Sequence, residues 1–382
     1  MRLDEANLRK AKIGLACTGL GRILRGFESF TESLFQALRM YAPTTKVTLF
    51  QGAGTKTTDR VTVPNFHRSD IPARWLGNHR AGLLEQRSFA LFLYPLLLRG
   101  GYHIVHYNDL VMGSTLFHLR RSLGGKFKLL YCNGAPSPPL HYHHRCDFAQ
   151  VLTGPAHERA RTFGIPEGRL FLIPYGIDAR RFNPDYTSQK TEVRRQLGIP
   201  EDAKIVLTVA ALKQEHKRLD YLIREISSMD ESVWLLAAGQ PTEETPLLRN
   251  AAERMLPGRW RFLQWPHEQI HLLYGASDVF VLASLTEGFG LVSVEAMLSG
   301  LPVVLHDSPH SRWLVGQSPV NLIDMSGQGT LRNCLDKLLD QHSLPSARGD
   351  AVARFSWESL VPQYLEMYAI AAASKVNGDG RE

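Results

Sequence analysis

The sequence predicts an α/β protein of two doubly wound domains, each an open parallel sheet covered by helices. Three observations carry that expectation. The chain has 382 residues, more than one hydrophobic core usually organises. Short β-branched runs alternate with helically spaced apolar residues along most of it, the pattern of parallel sheets buried on both faces. The alternation pauses once, at Pro174–Glu192, where Pro174, Gly176, Asn183, Pro184 and Asp185 punctuate the chain, and then restarts. The expected division is a first domain over 1–175, a hinge over 174–192 and a second domain over 186–355, with a closing helix at 356–373 packing back onto the first domain.

In chain order, Lys12–Cys17 reads as a strand, followed by a glycine-bearing loop. Phe27, Phe30, Leu34, Leu38 and Tyr41 then fall at helical spacing. Val47–Phe50 is a strand; His103–Tyr107, Leu110–Leu123 and Lys126–Cys132 give strand, helix, strand. Gln150–Thr153, Pro155–Phe163 and Leu170–Ile173 complete the first half. The second half repeats the scheme: strand Lys204–Leu212, helix Arg218–Met229, strand Val233–Ala238, helix Glu243–Met255, strand Arg261–Leu263. Helix His267–Ala276, strand Asp278–Ser284, helix Leu291–Ser299 and strand Pro302–His306 follow.

Composition narrows the function classes. Hydrophobic residues make up 44% and charged residues 21%, ordinary values for a globular protein. The net charge of +7 suits an anionic small molecule or membrane surface, and no Lys/Arg run interleaved with aromatics argues for nucleic acid. Cys17, Cys132, Cys146 and Cys334 are scattered without a CxxC pair, the usage of buried thiols in a reducing cytosol. The opening MRLDEANLRKAKIG has no apolar core, so a cytoplasmic protein is expected. FALFLYPLLL (Phe89–Leu98) is roughly half a membrane span. It reads as a buried helix, with a peripheral membrane contact as the alternative.

Open parallel sheets bind ligands beyond the carboxyl ends of their strands, so residues after strands are the ones to inspect. SLTEGFGLVSVEAMLSGLPVV (Ser284–Val304) follows a strand, carries two glycines around Phe289 and opens a helix. Such a helix start favours phosphate. Glu287 precedes the helix, and Glu295 on it leans back toward its start. Two carboxylates beside an anion are awkward unless they accept hydrogen bonds from hydroxyls, which a sugar and a ribose supply.

That stretch resembles the signature of the large retaining glycosyltransferase family that includes sucrose synthases, glycogen synthases and bacterial mannosyltransferases, family 4, with the GT-B fold. The resemblance implies two Rossmann-like domains facing across a cleft. It places Glu287 against the donor sugar, Gly288, Phe289, Gly290 and Leu291 at sugar and phosphate, and Glu295 on the ribose hydroxyls. LIPYGIDARRFNP (Leu172–Pro184) is similar to the family's hinge, and Phe262–Ser284 to the stretch whose backbone near Gln264, Trp265 and Pro266 reads the base. Thr18–Leu38 resembles the loop approaching donor phosphates through Gly19 and Gly21, with Arg25 and Glu28 toward the acceptor. Phe355–Tyr368 resembles the returning helix.

Two departures stand out. Where the family has an arginine followed by a lysine for the diphosphate, VAALKQEHKRLDYLI (Val209–Ile223) has Ala211 and Lys217. Lys217, helped by Lys213 or Arg25, then supplies the side-chain charge, as a point charge rather than a planar fork. Where the family has a histidine near the donor sugar, this chain has Asn133, which can hydrogen-bond a hydroxyl but cannot move a proton. The resemblance therefore implies a catalytic set of Glu287, Lys217 and Asn133 in a metal-independent, same-face hexosyl transfer. The donor is a UDP- or GDP-sugar; no cofactor is expected. Acceptor contacts are assigned to Arg25, Glu28, Asp109 and His141, and the acceptor is a small molecule, glycan or lipid. HYHH (His141–His144) lacks acids at ligand spacing, so no metal is expected there. A sugar-nucleotide epimerase, a phosphorylase and a non-catalytic nucleotide-sugar-binding protein are the alternatives on this architecture.

Overall fold

The computed structural model describes residues 10–22, 26–68, 77–134, 140–341 and 345–374. The chain divides into two compact units, residues 1–176 with 357–382, and residues 177–356.

The first unit begins with β1 (Lys12–Cys17), α1 (Gly26–Tyr41), β2 (Lys46–Gln51) and β3 (Arg60–Thr62). It continues through α2 (Gly77–Gly100), β4 (Ile104–Tyr107), α3 (Leu110–Leu123) and β5 (Lys128–Asn133). β6 (Phe148–Val151), α4 (Gly154–Thr162) and β7 (Leu170–Leu172) close the run. Its sheet has the order β3-β2-β1-β4-β5-β6-β7, and every pairing is parallel. β4, β5 and β6 are buried along their whole length, as strands covered on both faces must be. α4 starts where it does because the Thr153 hydroxyl accepts from Ala156 N, with Pro155 in the first turn.

The second unit contains α5 (Lys190–Gln196), β8 (Lys204–Val209), α6 (Leu219–Ser227), β9 (Val233–Ala238), α7 (Thr245–Met255) and β10 (Trp260–Leu263). α8 (Ile270–Ala276), β11 (Val279–Leu282), α9 (Leu291–Leu298), β12 (Val303–His306), α10 (Pro309–Val315) and β13 (Asn321–Ile323) follow. α11 (Thr330–Leu339) and α12 (Arg348–Phe355) end it. The sheet order is β10-β9-β8-β11-β12-β13, again all parallel. The reversal of direction next to β8 places the switch point between β8 and β11, where a doubly wound sheet opens its ligand crevice. The stretch expected as a linker is fastened within this unit. Arg348 donates to the carbonyls of Phe182, Leu298 and Ala179, and Ile177 N donates to Phe355 O at 2.8 Å.

The chain then returns to the first unit as α13 (Trp357–Ala373). It is held by aromatic packing and a set of buried polar links. Trp357 Nε1 donates to Ser33 Oγ at 2.6 Å on α1, and Gln150 Nε2 donates to Tyr364 Oη at 2.7 Å. The Tyr368 hydroxyl lies 2.8 Å from His106 Nδ1, while Phe30 stacks on Tyr175 with centroids 3.9 Å apart. Gly176 is needed here, since a Cβ would lie 2.3 Å from the Trp357 ring.

One expectation needs correction. Phe89–Leu98 is helical, as part of α2, but only half of it is buried. Phe89, Ala90, Leu93 and Leu97 face the core, whereas Leu91, Phe92 and Leu98 are exposed. The run is continuous in sequence because the helix carries apolar side chains on both faces.

His106 is fully buried, and burial pushes its pKa down to about 3 from an ordinary 6.5. It is neutral when folded but protonates below pH 6.5 when unfolded, so stability is complete above that pH and is lost as pH falls toward 3. Urea denaturation should show a slope of about 1.4 kcal/mol per pH unit from this group. His106→Gln should flatten that slope between pH 6.5 and 4; an unchanged slope would remove His106 as the cause.

Candidate active site

In the second unit, the loops leaving the carboxyl ends of β8 and β11 meet. Lys217 Nζ donates to Glu287 Oε1 at 2.5 Å, both side chains being mostly covered. These residues lie 70 positions apart in sequence. Their loops are neighbours because β8 and β11 pair in parallel, Val206 opposite Val279 and Leu207 opposite Phe280.

The Lys217 loop is backbone-strained. His216 and Arg218 have φ of 66° and 52°, the two positive values among described non-glycine residues. A left-handed conformation at such residues costs free energy and recurs at functional sites. Anchors compensate on both sides. Arg218 Nη1 donates to Met325 O at 2.6 Å, and its guanidinium lies 4.3 Å above the Tyr221 ring. Upstream, Glu244 accepts from the backbone N–H of Gln214 and Glu215. Lys213 is 3.9 Å from Glu215. Arg218, the nearest arginine in sequence to Ala211, is engaged by carbonyls, its Nη1 donating to Ala283 O and Met325 O.

Beyond Glu287, Gly288 leads to Phe289, which is buried edge-on against Phe355 with centroids 5.8 Å apart. Gly290, with φ +80°, occupies the N-cap of α9 just before Leu291. Only glycine adopts that conformation without strain, and it turns the first α9 amides toward the loop. His310 Nε2 sits 3.2 Å from Phe289 O and props the turn from α10. Ser284, Glu287, Gly290, Ser293, His306, His310 and Ser311 take part in lining a cavity of about 10 Å³, room for one water molecule. Within the described residues the Ser284 and Ser293 hydroxyls have no hydrogen-bond partner.

Glu295, one turn into α9, accepts from the Tyr274 hydroxyl at 2.8 Å. Burial pushes its pKa up, with the Tyr274 hydrogen bond and the Arg181 charge pulling the other way. Arg181 also acts electrostatically on Tyr274, His267 and His271, and its Nε and Nη2 are buried without a partner. Gln264 is exposed and donates to Gln240 Oε1 at 2.7 Å. Trp265 donates to Gln269 O at 3.0 Å, and exposed Pro266 leads into the short helix before α8.

The remaining expected residues belong to the first unit. Gly19 is buried in the turn after β1. Gly21, φ +88°, packs so closely that a Cβ would sit 2.1 Å from Ala53 O, which is sufficient structural reason for a glycine. Glu28 is buried on α1. Asp109, assigned above to the acceptor, makes no side-chain cap to α3. It accepts from Thr18 N at 2.8 Å instead, bracing the β1 turn. Asn133 ends β5, buried, with Nδ2 3.4 Å from His143 Nε2 and Oδ1 unpartnered. Burial and the charges of Arg169 and His144 push His143 down to about 4. Arg25 and the side chain of His141 lie outside the described residues. Among the described residues no group of three metal-ligating side chains forms.

Sequence reasoning missed Arg181, His310, His143 and the strained flanks of Lys217. Arg181 and His310 are ordinary residues in sequence, and only the tertiary path brings them to Glu295 and Phe289. His143 had a signal, the HYHH run, but weighing the run only as a metal site left its contact with Asn133 out of view.

Two parallel doubly wound sheets, with a cation–carboxylate pair and a glycine turn at the switch point of the second, define a doubly wound α/β protein with its candidate site at the strand ends. Comparison with known proteins narrows this. Residues 189–345 match the family model of glycosyl transferases group 1. An uncharacterized glycosyltransferase of Methanocaldococcus jannaschii is 25% identical over 61% of this chain and 62% of its own length. D-inositol 3-phosphate glycosyltransferase of Mycolicibacterium smegmatis is 28% identical over 71% of this chain and 68% of its own. The chain thus spans a little over three fifths of the M. jannaschii relative.

Solved structures show the same fold. Sucrose-phosphate synthase from Thermosynechococcus elongatus superposes with a TM-score of 0.76 at 20% identity, covering 95% of this chain and 100% of that one. Anabaena HepE in complex with UDP and glucose gives 0.74 at 18% identity, over 94% and 99%. The fold is GT-B.

The Glu295 environment generates a stability prediction. An acid whose pKa is raised by folding destabilises the native state where it is ionised, and the penalty fades as pH falls through its range. Glu295→Gln should therefore make the ligand-free protein more resistant to urea at pH 7. The gain should shrink toward pH 4.5. A variant less stable at pH 7 would show that the Tyr274 bond outweighs burial.

Proposed function

We propose that this protein is a retaining glycosyltransferase that moves a sugar from a nucleoside-diphosphate sugar to an acceptor hydroxyl. The observation that carries the reading is the Lys217–Glu287 pair on a strained loop beside the α9 turn, inside the family-matched segment. The bond between the anomeric carbon and the diphosphate oxygen breaks, and a bond from the acceptor oxygen forms on the same face. The acceptor proton passes to the departing diphosphate, so no side chain need carry it, and Asn133 in place of a histidine is no obstacle.

Charge growing on the leaving diphosphate is the main electrostatic problem. Lys217 and the amides of Gly290 and Leu291 meet it, so the reading requires no metal ion. Without donor, Lys217 is neutralised by Glu287. On binding, the phosphates take over the ammonium and Glu287 accepts from sugar hydroxyls, which removes the clash between carboxylate and phosphate. Glu295 accepts from the ribose diol with the oxygen that Tyr274 does not use. Gln264–Pro266 present backbone to the base. The UDP and glucose bound to HepE make UDP-sugars the first donors to test; the acceptor is a small molecule, glycan or lipid.

The test is nucleotide release from a panel of UDP-, GDP- and ADP-sugars, with and without polyol, sugar and lipid acceptors. Slow hydrolysis of at least one donor is expected. Lys217→Ala and Glu287→Ala should each lower it by about a hundredfold or more, the cost of removing one preorganised electrostatic group. Glu295→Gln should weaken donor binding about tenfold through the lost charge-assisted hydrogen bonds. Absence of binding and turnover with every donor would sink the reading, and epimerised donor without nucleotide release would replace it.

A further inference from the structure

α2 presents an unusual outer face. Arg80, Leu84, Arg87, Leu91, Pro95 and Leu98 recur every three or four residues and so form one stripe, roughly 27 Å long from end to end. Leu91 is 55% exposed and Leu98 44%, with Phe92 beside them at 47%. The stripe continues onto the end of α3. Tyr94 Oη donates to Gly124 O at 2.5 Å, and a Cβ on Gly125 would lie 3.4 Å from a Leu98 methyl. This sets Leu123, 68% exposed, and exposed Lys126 near the α2 C-terminus, where Arg99 is also exposed.

Charge on this face has one sign. Residues 77–126 contain two acids, Glu85 and Asp109, and both are engaged inward. Glu85 is fully buried against Arg68 at 2.7 Å and His67 at 3.4 Å. Asp109 accepts from Thr18 N. Arg120 is held by Asp147, but Arg80, Arg87, Arg99, Arg121 and Lys126 stand exposed. Leucine and phenylalanine flanked by these cations suit the boundary of an anionic bilayer, where apolar groups enter below the headgroups and cations meet phosphate. A protein partner with acidic patches would match the charges but leave an apolar ridge to cover. No described helix is long and apolar enough to cross a membrane, so the contact is with the surface.

We propose that the α2 face, with the end of α3, docks this protein on anionic lipid surfaces. The proposal stands independently of the transfer chemistry, since binding is read without substrate. The experiment is flotation of the full chain with vesicles of phosphatidylcholine alone or with about 30% phosphatidylglycerol, at low and high salt. Binding to the anionic vesicles is expected, falling at high salt as screening removes the cation term. Arg87→Gln with Lys126→Gln should weaken it about fivefold per cation. Leu91→Ser with Leu98→Ser should weaken it more than tenfold while leaving the melting temperature unchanged, because both side chains are exposed. Equal binding to neutral vesicles, no binding to anionic ones, or binding indifferent to both double variants would overturn the proposal. So would a dimer in solution that the Leu91/Leu98 variant converts to monomer, since a second copy would then be the occupant.

Discussion

The donor-side geometry depends on one carboxylate at the start of β11. Asp278 accepts from Ile205 N at 2.7 Å, from Arg194 Nη2 at 2.7 Å and from Lys190 Nζ at 2.6 Å. Arg194 is itself buried and donates further to the carbonyls of Ala276, Glu201 and Ala203. This network pins the start of β8 against β11 and ties α5 to both. Removing one partner from so buried a pair would leave an uncompensated charge, typically costing about 3–5 kcal/mol. The consequence appears at the other end of the strands. With register fixed at the bottom, the loops at the top emerge at matching heights, and Lys217 reaches Glu287.

That dependence explains what was legible in the sequence. Strand and helix positions were readable because periodicity and burial are local signals; α3 occupies Leu110–Leu123 as expected, and the strands agree within a few residues. Glu287, Lys217 and Glu295 were accessible because their places after strands and on a helix follow from topology. The Lys217–Glu287 contact was not, since it requires the β8–β11 register, and nothing local to Asp278 announces three partners. Arg181 was equally hidden: its influence on Glu295 arises from the path of the chain after Ile177. The apolar run in α2 misled for a related reason. Composition reports how many apolar residues a helix has, but only packing against α3 and the sheet decides which stay outside.

In the first unit, Gly21 and Asp109, expected at the donor and the acceptor, each have a structural role in the ligand-free fold, through the close approach of Ala53 O and the bond from Thr18 N. Asn133 differs from these. It is buried at a strand end with one amide oxygen unpartnered and a neutral histidine at its other end. A buried acceptor without a donor is costly, so this position carries a stored deficit that Gly21 and Asp109 do not.

A similar deficit runs through the second unit and gives the site its character. Left-handed backbone at His216 and Arg218, unpartnered hydroxyls at Ser284 and Ser293, and a guanidinium edge without an acceptor at Arg181 all lie on the Lys217 loop or around Glu287 and Glu295. Each costs free energy in the ligand-free fold. The carboxylate anchor at Asp278, at the far end of the strands, and the local anchor of the Arg218 side chain make that cost tolerable by over-determining the backbone. On the proposed function, a site built this way is least comfortable when empty, because hydroxyl and phosphate groups of a nucleotide sugar would supply partners that the protein withholds. Part of the binding free energy then comes from relieving the protein rather than from new surface alone, which favours a ligand rich in both donors and acceptors over an apolar one of equal size.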